Sequence, residues 1–243
     1  MTESTTPAPK ASGLQTVLNM ISSPKEAFES IRIAPTWGWA ALILIVVSVV
    51  TQILLLPAVK HGFDAQWPSI VAANPKLASA PDSTIQQIKS MNAMVMNFAP
   101  LFAVVFAFVF VLIQTLILMI FNAVGKGEGS FKKLWASLWN IGIPAYALGS
   151  IVTTIIVLIR GADSFNSSTA VQAAMPSLGL LALHAGKLTN FLNTITPFSL
   201  WGLFLTAMAM NVVARLNKGL AWAAAIVCFL IPALFSLLAP AAR

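Results

Sequence analysis

Five long stretches without a charged residue constrain the fold more than any other feature of this sequence. They comprise residues 37–59, 90–125, 134–159, 188–214 and 219–242. Each stretch can hold the roughly 20 apolar residues with which a helix crosses about 30 Å of hydrocarbon. Because backbone amides in lipid need partners within their own segment, such stretches form helices. We predict an all-α, polytopic membrane protein, a bundle of five transmembrane helices at about 37–57, 99–121, 139–159, 195–214 and 220–239.

The composition agrees with a membrane protein and excludes other classes. Only 9% of the 243 residues are charged and 58% are hydrophobic, whereas about a quarter of an ordinary soluble domain is charged. A soluble enzyme and a disordered chain are therefore excluded. The net charge of +7 is spread over basic residues in ones and twos, which argues against a nucleic-acid partner. The predicted partner is the lipid bilayer.

The region before the membrane domain (residues 35–243) has two parts. Residues 1–13 are rich in Ser, Thr and Pro and predict a disordered tail. Residues 14–34 have apolar side chains at helical spacing, which predicts a cytoplasmic amphipathic helical segment. We favour a segment packed on the membrane domain; the alternative is a docking face for a cytoplasmic or membrane protein partner. The apolar positions are Leu14, Val17, Leu18, Ile21, Ala27, Phe28 and Ile31.

Within this segment, Ser23-Pro24-Lys25-Glu26 has the pattern of a capping box. In that motif the serine hydroxyl accepts from the amide of the glutamate, and proline occupies the first helical position. We therefore expect a helix start at Ser23, stabilised by its side chain.

Two connections between the spans are long. Residues 58–98 contain Pro68, Pro75 and Pro81 and are expected to form a loop, whose end continues as a helix into the second span. Residues 160–190 turn apolar at 178–183, too short a run to cross the bilayer, so segment 176–190 is predicted to be interfacial or re-entrant. If it did cross, the chain would have six spans and its C-terminus would change side.

The basic residues predict the orientation. The short connections 122–138 and 215–219, with the N-terminal region, hold 8 basic residues, and the long loops and the C-terminus hold 6 over a greater length. Because cytoplasmic loops are enriched in Lys and Arg, we predict a multi-pass protein of the cell membrane. Its N-terminus would be cytoplasmic and its C-terminus outside. Tryptophans expected at the cytoplasmic headgroups are Trp37, Trp39, Trp135, Trp139 and Trp222.

No residues are predicted to be catalytic, cofactor-binding or metal-ligating. All seven Asp and Glu residues lie outside the spans, and His61, His184 and Cys228 have no metal-ligand spacing. The glycine-rich run 125–130 lacks the spacing of a phosphate-binding loop, so we interpret it as a helix C-cap and turn. We therefore expect neither an enzyme nor a cofactor.

Polar residues and prolines within the spans leave an alternative function open. We interpret the polar side chains as hydrogen-bonding between helices. The less favoured interpretation is that they line a transport path for a small molecule or lipid. Kinks are expected at Pro144, Pro197 and Pro232. The small residues Ala99, Ala103 and Ala107 follow one another at four-residue spacing. This spacing permits close contact between helices, within one chain or between the chains of a homo-oligomer. The polar residues are Gln52, Gln114, Asn140, Thr153, Thr154, Thr206 and Asn211.

Three segments resemble the bacterial members of the Yip1 domain family. They are residues 20–28, Met-Ile-Ser-Ser-Pro-Lys-Glu-Ala-Phe; residues 127–144, a Gly/Ser loop followed by a Trp-containing span; and residues 197–221, with the basic connection after Arg215. The resemblance covers most of residues 14–240. It implies five transmembrane helices, a cytoplasmic N-terminus and no known catalytic activity. Eukaryotic members bind Rab-type small GTPases, a function that is not carried over to these residues.

Overall fold

The computed structural model describes residues 12–182 and 186–238, and within these every regular element is helical. The predicted tail 1–13 falls almost entirely outside the described residues, as does His184. The α-helices, in chain order, are α1 Gly13–Ser22, α2 Pro24–Ile33, α3 Gly38–Ala73, α4 Pro75–Ala78, α5 Asp82–Val124, α6 Phe131–Gly142, α7 Leu148–Arg160, α8 Ser168–Gln172, α9 Lys187–Asn193, α10 Pro197–Val212 and α11 Lys218–Phe235.

The all-helical membrane fold is confirmed. Four helical segments are long and apolar enough to cross a bilayer: α3, α5, Phe131–Arg160 and α11. A fifth crossing requires α9 and α10 together, and these two helices meet at a bend of 62°. Alone, α10 has 16 residues and a length of about 24 Å, so it is too short to cross about 30 Å of hydrocarbon without α9.

The expected loop at 58–98 is mostly helical before its end as well, so the prediction of a loop was wrong for residues 58–81. Helix α3 has 36 residues and continues through Pro57 and Pro68. Proline removes one helical hydrogen bond, but the part of α3 after Pro57 is packed: Ala58 is buried in a cluster with Val157, Phe165 and Val171. Tertiary packing therefore outweighs the local preference for a break.

The predicted continuation into the second span is confirmed, since α5 runs unbroken for 43 residues. Between Arg160 and Pro197 the longest described helix, α9, has seven residues. The apolar run at 178–183 begins with the four-residue 3-10 turn Leu178–Leu181. No separate crossing therefore lies in the described part of this region.

The predicted proline kinks differ in outcome. Pro144 lies in a π-helical turn, Ile143–Ala147, between α6 and α7, as expected where a residue without an N–H interrupts the ladder. Pro197 is the first residue of α10, directly after the bend. Pro232 lies inside α11, which continues to Phe235.

The described chain divides into two compact units. The first comprises residues 12–44, 111–144 and 202–228, and the second comprises 45–110, 145–182, 186–201 and 229–238. Large side chains fully buried in the first unit are Met20, Phe28, Ile31, Leu118, Leu134, Trp139, Leu205, Met210 and Val213.

Candidate functional site

Within the first unit, the N-terminal segment forms two helices that pack on each other and on α6. On α2, Ala27, Phe28 and Ile31 are completely buried. The opposite side of α2 exposes Lys25, Glu26 and Glu29. The apolar side of α2 is therefore already covered by the protein itself, and its outward side carries the charged residues together with the exposed Ile33.

The predicted capping box at Ser23 does not form. Pro24 does occupy the first position of α2, but the Ser23 side chain makes no cap hydrogen bond. Ser23 also ends α1, where its N–H donates to the carbonyl oxygen of Asn19 at 2.7 Å. Its backbone angles, φ −144° and ψ 66°, differ from the β-region conformation of an ordinary N-cap. One linking residue serves both helices, which prevents the capping geometry.

A buried polar contact ties the N-terminal segment to α6. Nδ2 of Asn140, a completely buried residue, donates to the carbonyl oxygen of Thr36 at 2.9 Å and to that of Ala136 at 2.8 Å. Thr36 Oγ1 lies 3.5 Å from Thr16 Oγ1 on α1. Buried amides are normally hydrogen-bonded because leaving them unpaired is costly, so Asn140 holds residue 36 at a defined position before α3.

Three indoles, each next in the chain to a residue of this contact, pack on one another. The rings of Trp37 and Trp135 meet edge to face at 6.0 Å, and those of Trp37 and Trp139 lie 6.3 Å apart. Phe131, at the start of α6, stacks on Trp135 at 5.7 Å. Such aromatic pairs stabilise beyond their buried area. Three of the five tryptophans predicted as headgroup anchors therefore join the start of α3 to α6; the anchoring itself stays a prediction.

The glycine-rich connection after α5 is a helix C-cap and turn, as predicted. Gly127 N–H donates to Asn122 C=O at 2.8 Å and Lys126 N–H to Ala123 C=O at 3.2 Å. This is the Schellman pattern, but its left-handed position is occupied by Lys126, with φ 50°. The Asn122 side chain then bonds both the N–H and the C=O of Gly129, each at 2.9 Å.

The connection after α10 repeats part of this design. Arg215 has a left-handed backbone, φ 55°, and follows Asn211 by four residues, as Lys126 follows Asn122. Asn211 Nδ2 donates to Leu216 C=O at 2.8 Å. Non-glycine residues rarely adopt positive φ, and two basic residues do so at equivalent positions. In both cases an asparagine side chain fixes the turn.

The two connections are joined to each other, and we call this contact the loop clasp (residues 122–129 and 211–216). Glu128 N–H donates to Ala214 C=O at 2.8 Å. Arg215 adds an ion pair with the carboxylate of Glu128 at 3.2 Å. Gly127 lies so close that an added Cβ would be 2.6 Å from Ala214 O and would overlap Asn122 Oδ1. The clasp is a tight backbone contact with an exposed ion pair at its edge.

Most polar residues predicted within the spans bond their own helix. The hydroxyls of Thr153, Thr154 and Thr206 donate to carbonyls four residues earlier, and Gln52 bonds Ser48. Asn140 also bonds Thr36, far earlier in the chain, and Asn211 bonds Leu216 in the connection that follows its helix. Asn122, which organises the loop clasp, was missed because nothing in its local sequence distinguishes it. Its partner Gly129 is seven residues later, and the two meet only because the turn at Lys126 brings the chain back.

The remaining described side chains with reactive groups lie apart from the contacts above. In the second unit, His61 Nδ1 lies 3.1 Å from Phe165 O, and Nε2 lies 3.8 Å from Asp163. Cys228 is a buried free thiol. No group of three or more potential metal ligands occurs among the described residues.

The order of these segments agrees with a known family. The sequence model of the Yip1 domain matches residues 18–239. The chain belongs to the Yip1 domain family. This Yip1-family protein is also similar to the membrane protein YknW of Bacillus subtilis (strain 168), with 25% identity over 221 residues, covering 91% of this chain and 88% of the relative. No solved structure matches it.

Proposed function

We propose that this Yip1-family membrane protein has no catalytic activity and organises a protein partner through the exposed charged side of α2. The observation that carries the proposal is the division of α2 into a buried apolar side and an exposed side with Lys25, Glu26 and Glu29. A charged surface on a helix fixed to a rigid support suits specific recognition, since charge complementarity selects partners and orients their approach.

The contacts of α1 and α2 with α6 support a fixed position for this surface. Phe28 and Ile31 are fully buried, and Asn140 holds residue 36 next to α3. Presenting α2 on a rigid base lowers the entropy cost of binding. The engagement of Asn140 and Asn211 in structural hydrogen bonds favours this proposal over a transport path lined by those residues.

We further propose a location in the cell membrane with the N-terminus in the cytoplasm and the C-terminus outside. Seven basic residues of α2 and of the two short connections belong to the first unit: Lys25, Arg32, Lys126, Lys132, Lys133, Arg215 and Lys218. Because loops that stay in the cytoplasm are enriched in Lys and Arg, these residues support the proposed orientation. Reporter fusions at both termini test it: activity of a cytoplasmic reporter at the C-terminus would contradict the proposal.

The partner proposal is tested by photo-crosslinking in the native membrane. A photoreactive amino acid at Glu29 should give a defined cross-linked band, whereas the same amino acid at the buried Ala27 should not. Reversing the charges at Lys25 and Glu26 should remove the Glu29 band while membrane insertion is retained. Absence of any band at Glu29, or a band unaffected by charge reversal, would contradict the proposal. Deleting residues 1–34 is less informative because it exposes the apolar surface of α6.

A further inference from the structure

Helix α1 carries an exposed apolar stripe on the side away from its packed face. Val17 and Met20 are buried, whereas Leu14, Leu18 and Ile21 are 45%, 59% and 39% exposed. The spacing of four and three residues places these three side chains on one side of the helix. Helix α1 contains no charged residue, and its exposed polar residues Gln15 and Ser22 lie in the sector next to the apolar stripe, away from the packed face. The helix thus has a packed, an apolar and a polar sector.

The beginning of α1 lies against the first turn of a membrane-spanning helix. The indole of Trp39 is so close to Gly13 that a Cβ there would lie 2.9 Å from Trp39 Cδ1. Trp39 is 53% exposed, and Leu42, one turn later, is 51% exposed. Both belong to α3, a candidate span. Tryptophan at the end of a span resides at headgroup level. The apolar stripe of α1 therefore starts at the edge of the lipid-facing surface.

We propose that α1 lies in the membrane interface, with Leu14, Leu18 and Ile21 inserted at the boundary between headgroups and acyl chains. A helix with separate apolar and polar sides is suited to this position. The continuity with Trp39 and the absence of charge identify lipid, rather than a soluble protein, as the occupant. Val17 and Met20 hold the helix to the protein, so the stripe inserts at a fixed place. This proposal does not depend on the partner proposed above for α2.

Depth-dependent fluorescence quenching in nanodiscs tests the proposal, because both membrane faces are then accessible to solvent. Cys228→Ser removes the single native thiol. Leu18→Cys and Ile21→Cys are labelled with the fluorophore NBD, and Gln15→Cys and Ser22→Cys are the matched positions on the polar side. The nanodiscs contain phosphatidylcholine and phosphatidylglycerol, with or without lipids carrying doxyl groups on their acyl chains.

Labels at Leu18 and Ile21 should emit at shorter wavelength, lose most of their fluorescence to the doxyl lipids and lose little to iodide. Labels at Gln15 and Ser22, in the neighbouring sector, should be quenched less by the doxyl lipids and more by iodide than the labels at Leu18 and Ile21. Equal quenching by iodide at all four positions would overturn the proposal, since α1 would then be in water. Protection of Leu18 from both quenchers would also overturn it, because a protein surface would be covering the stripe.

Discussion

The backbone N–H of Glu128 hydrogen-bonds the carbonyl oxygen of Ala214 at 2.8 Å, joining two connections that are more than 80 residues apart in the chain. Each connection is shaped by an asparagine near the end of the preceding helix. The clasp is therefore a long-range contact supported by two local turns. Its stability should depend on the asparagines and glycines more than on the exposed ion pair.

Removing the Asn122 side chain should weaken the clasp. Asn122→Ala deletes both hydrogen bonds to Gly129 and leaves partly buried backbone groups unpaired, which should lower the free energy of unfolding by about 2 kcal/mol. The rate at which a thiol reagent reaches the buried Cys228 during heating in detergent measures this change. Asn92→Ala is the control, because the Asn92 side chain bonds only an exposed carbonyl of its own helix. If the reagent reached Cys228 at the same rate in both variants, Asn122 would not stabilise the loop clasp.

Adding one methyl group at Gly127 should also destabilise the clasp. The new Cβ of Gly127→Ala would overlap Asn122 Oδ1 and approach Ala214 O to 2.6 Å, and relief of such crowding costs about 1–3 kcal/mol. Gly38→Ala is the matched control, since a Cβ there meets nothing within 4 Å. The midpoint of thermal unfolding in detergent should fall for the first variant alone.

The ion pair between Glu128 and Arg215 should contribute little. Both side chains are more than half exposed, at 60% and 54%, so water and salt screen their attraction, and the coupling energy should be below about 1 kcal/mol. A double-mutant cycle with Glu128→Gln and Arg215→Gln measures this energy. A coupling comparable to the effect of Asn122→Ala would show that the charges, not the backbone contact, hold the clasp together.

Truncating Phe28 should release α2 from α6. Phe28 is completely buried, and removal of a buried phenylalanine ring costs about 3–5 kcal/mol. Phe28→Ala should therefore increase tryptic cleavage at Lys25 and Arg32 in nanodiscs, where both membrane faces are open to the protease. Ile33→Ala, at an exposed position of the same helix, should leave the cleavage rate unchanged. Similar cleavage of both variants would mean that Phe28 does not anchor the segment.

The sequence by itself determined the class of fold. Uncharged apolar stretches cannot be placed in water or left without backbone hydrogen bonds in lipid, so all-helical membrane spans follow from composition and length alone. The glycine-rich turn after α5 was also predictable, because helix ends have characteristic local residues. Both are properties of short, contiguous segments.

Only the tertiary structure decided how far the helices run and which faces remain open. Ala58 and the residues around it stay helical after Pro57 because they pack on Val157 and Phe165, which are about 100 positions later. The predicted capping box at Ser23 does not form because this residue links α1 directly to α2, which pack on each other. Val17 is buried and Leu18 is exposed, although both are apolar neighbours in α1. These outcomes depend on partners distant in the sequence, and local propensity contains no information about them.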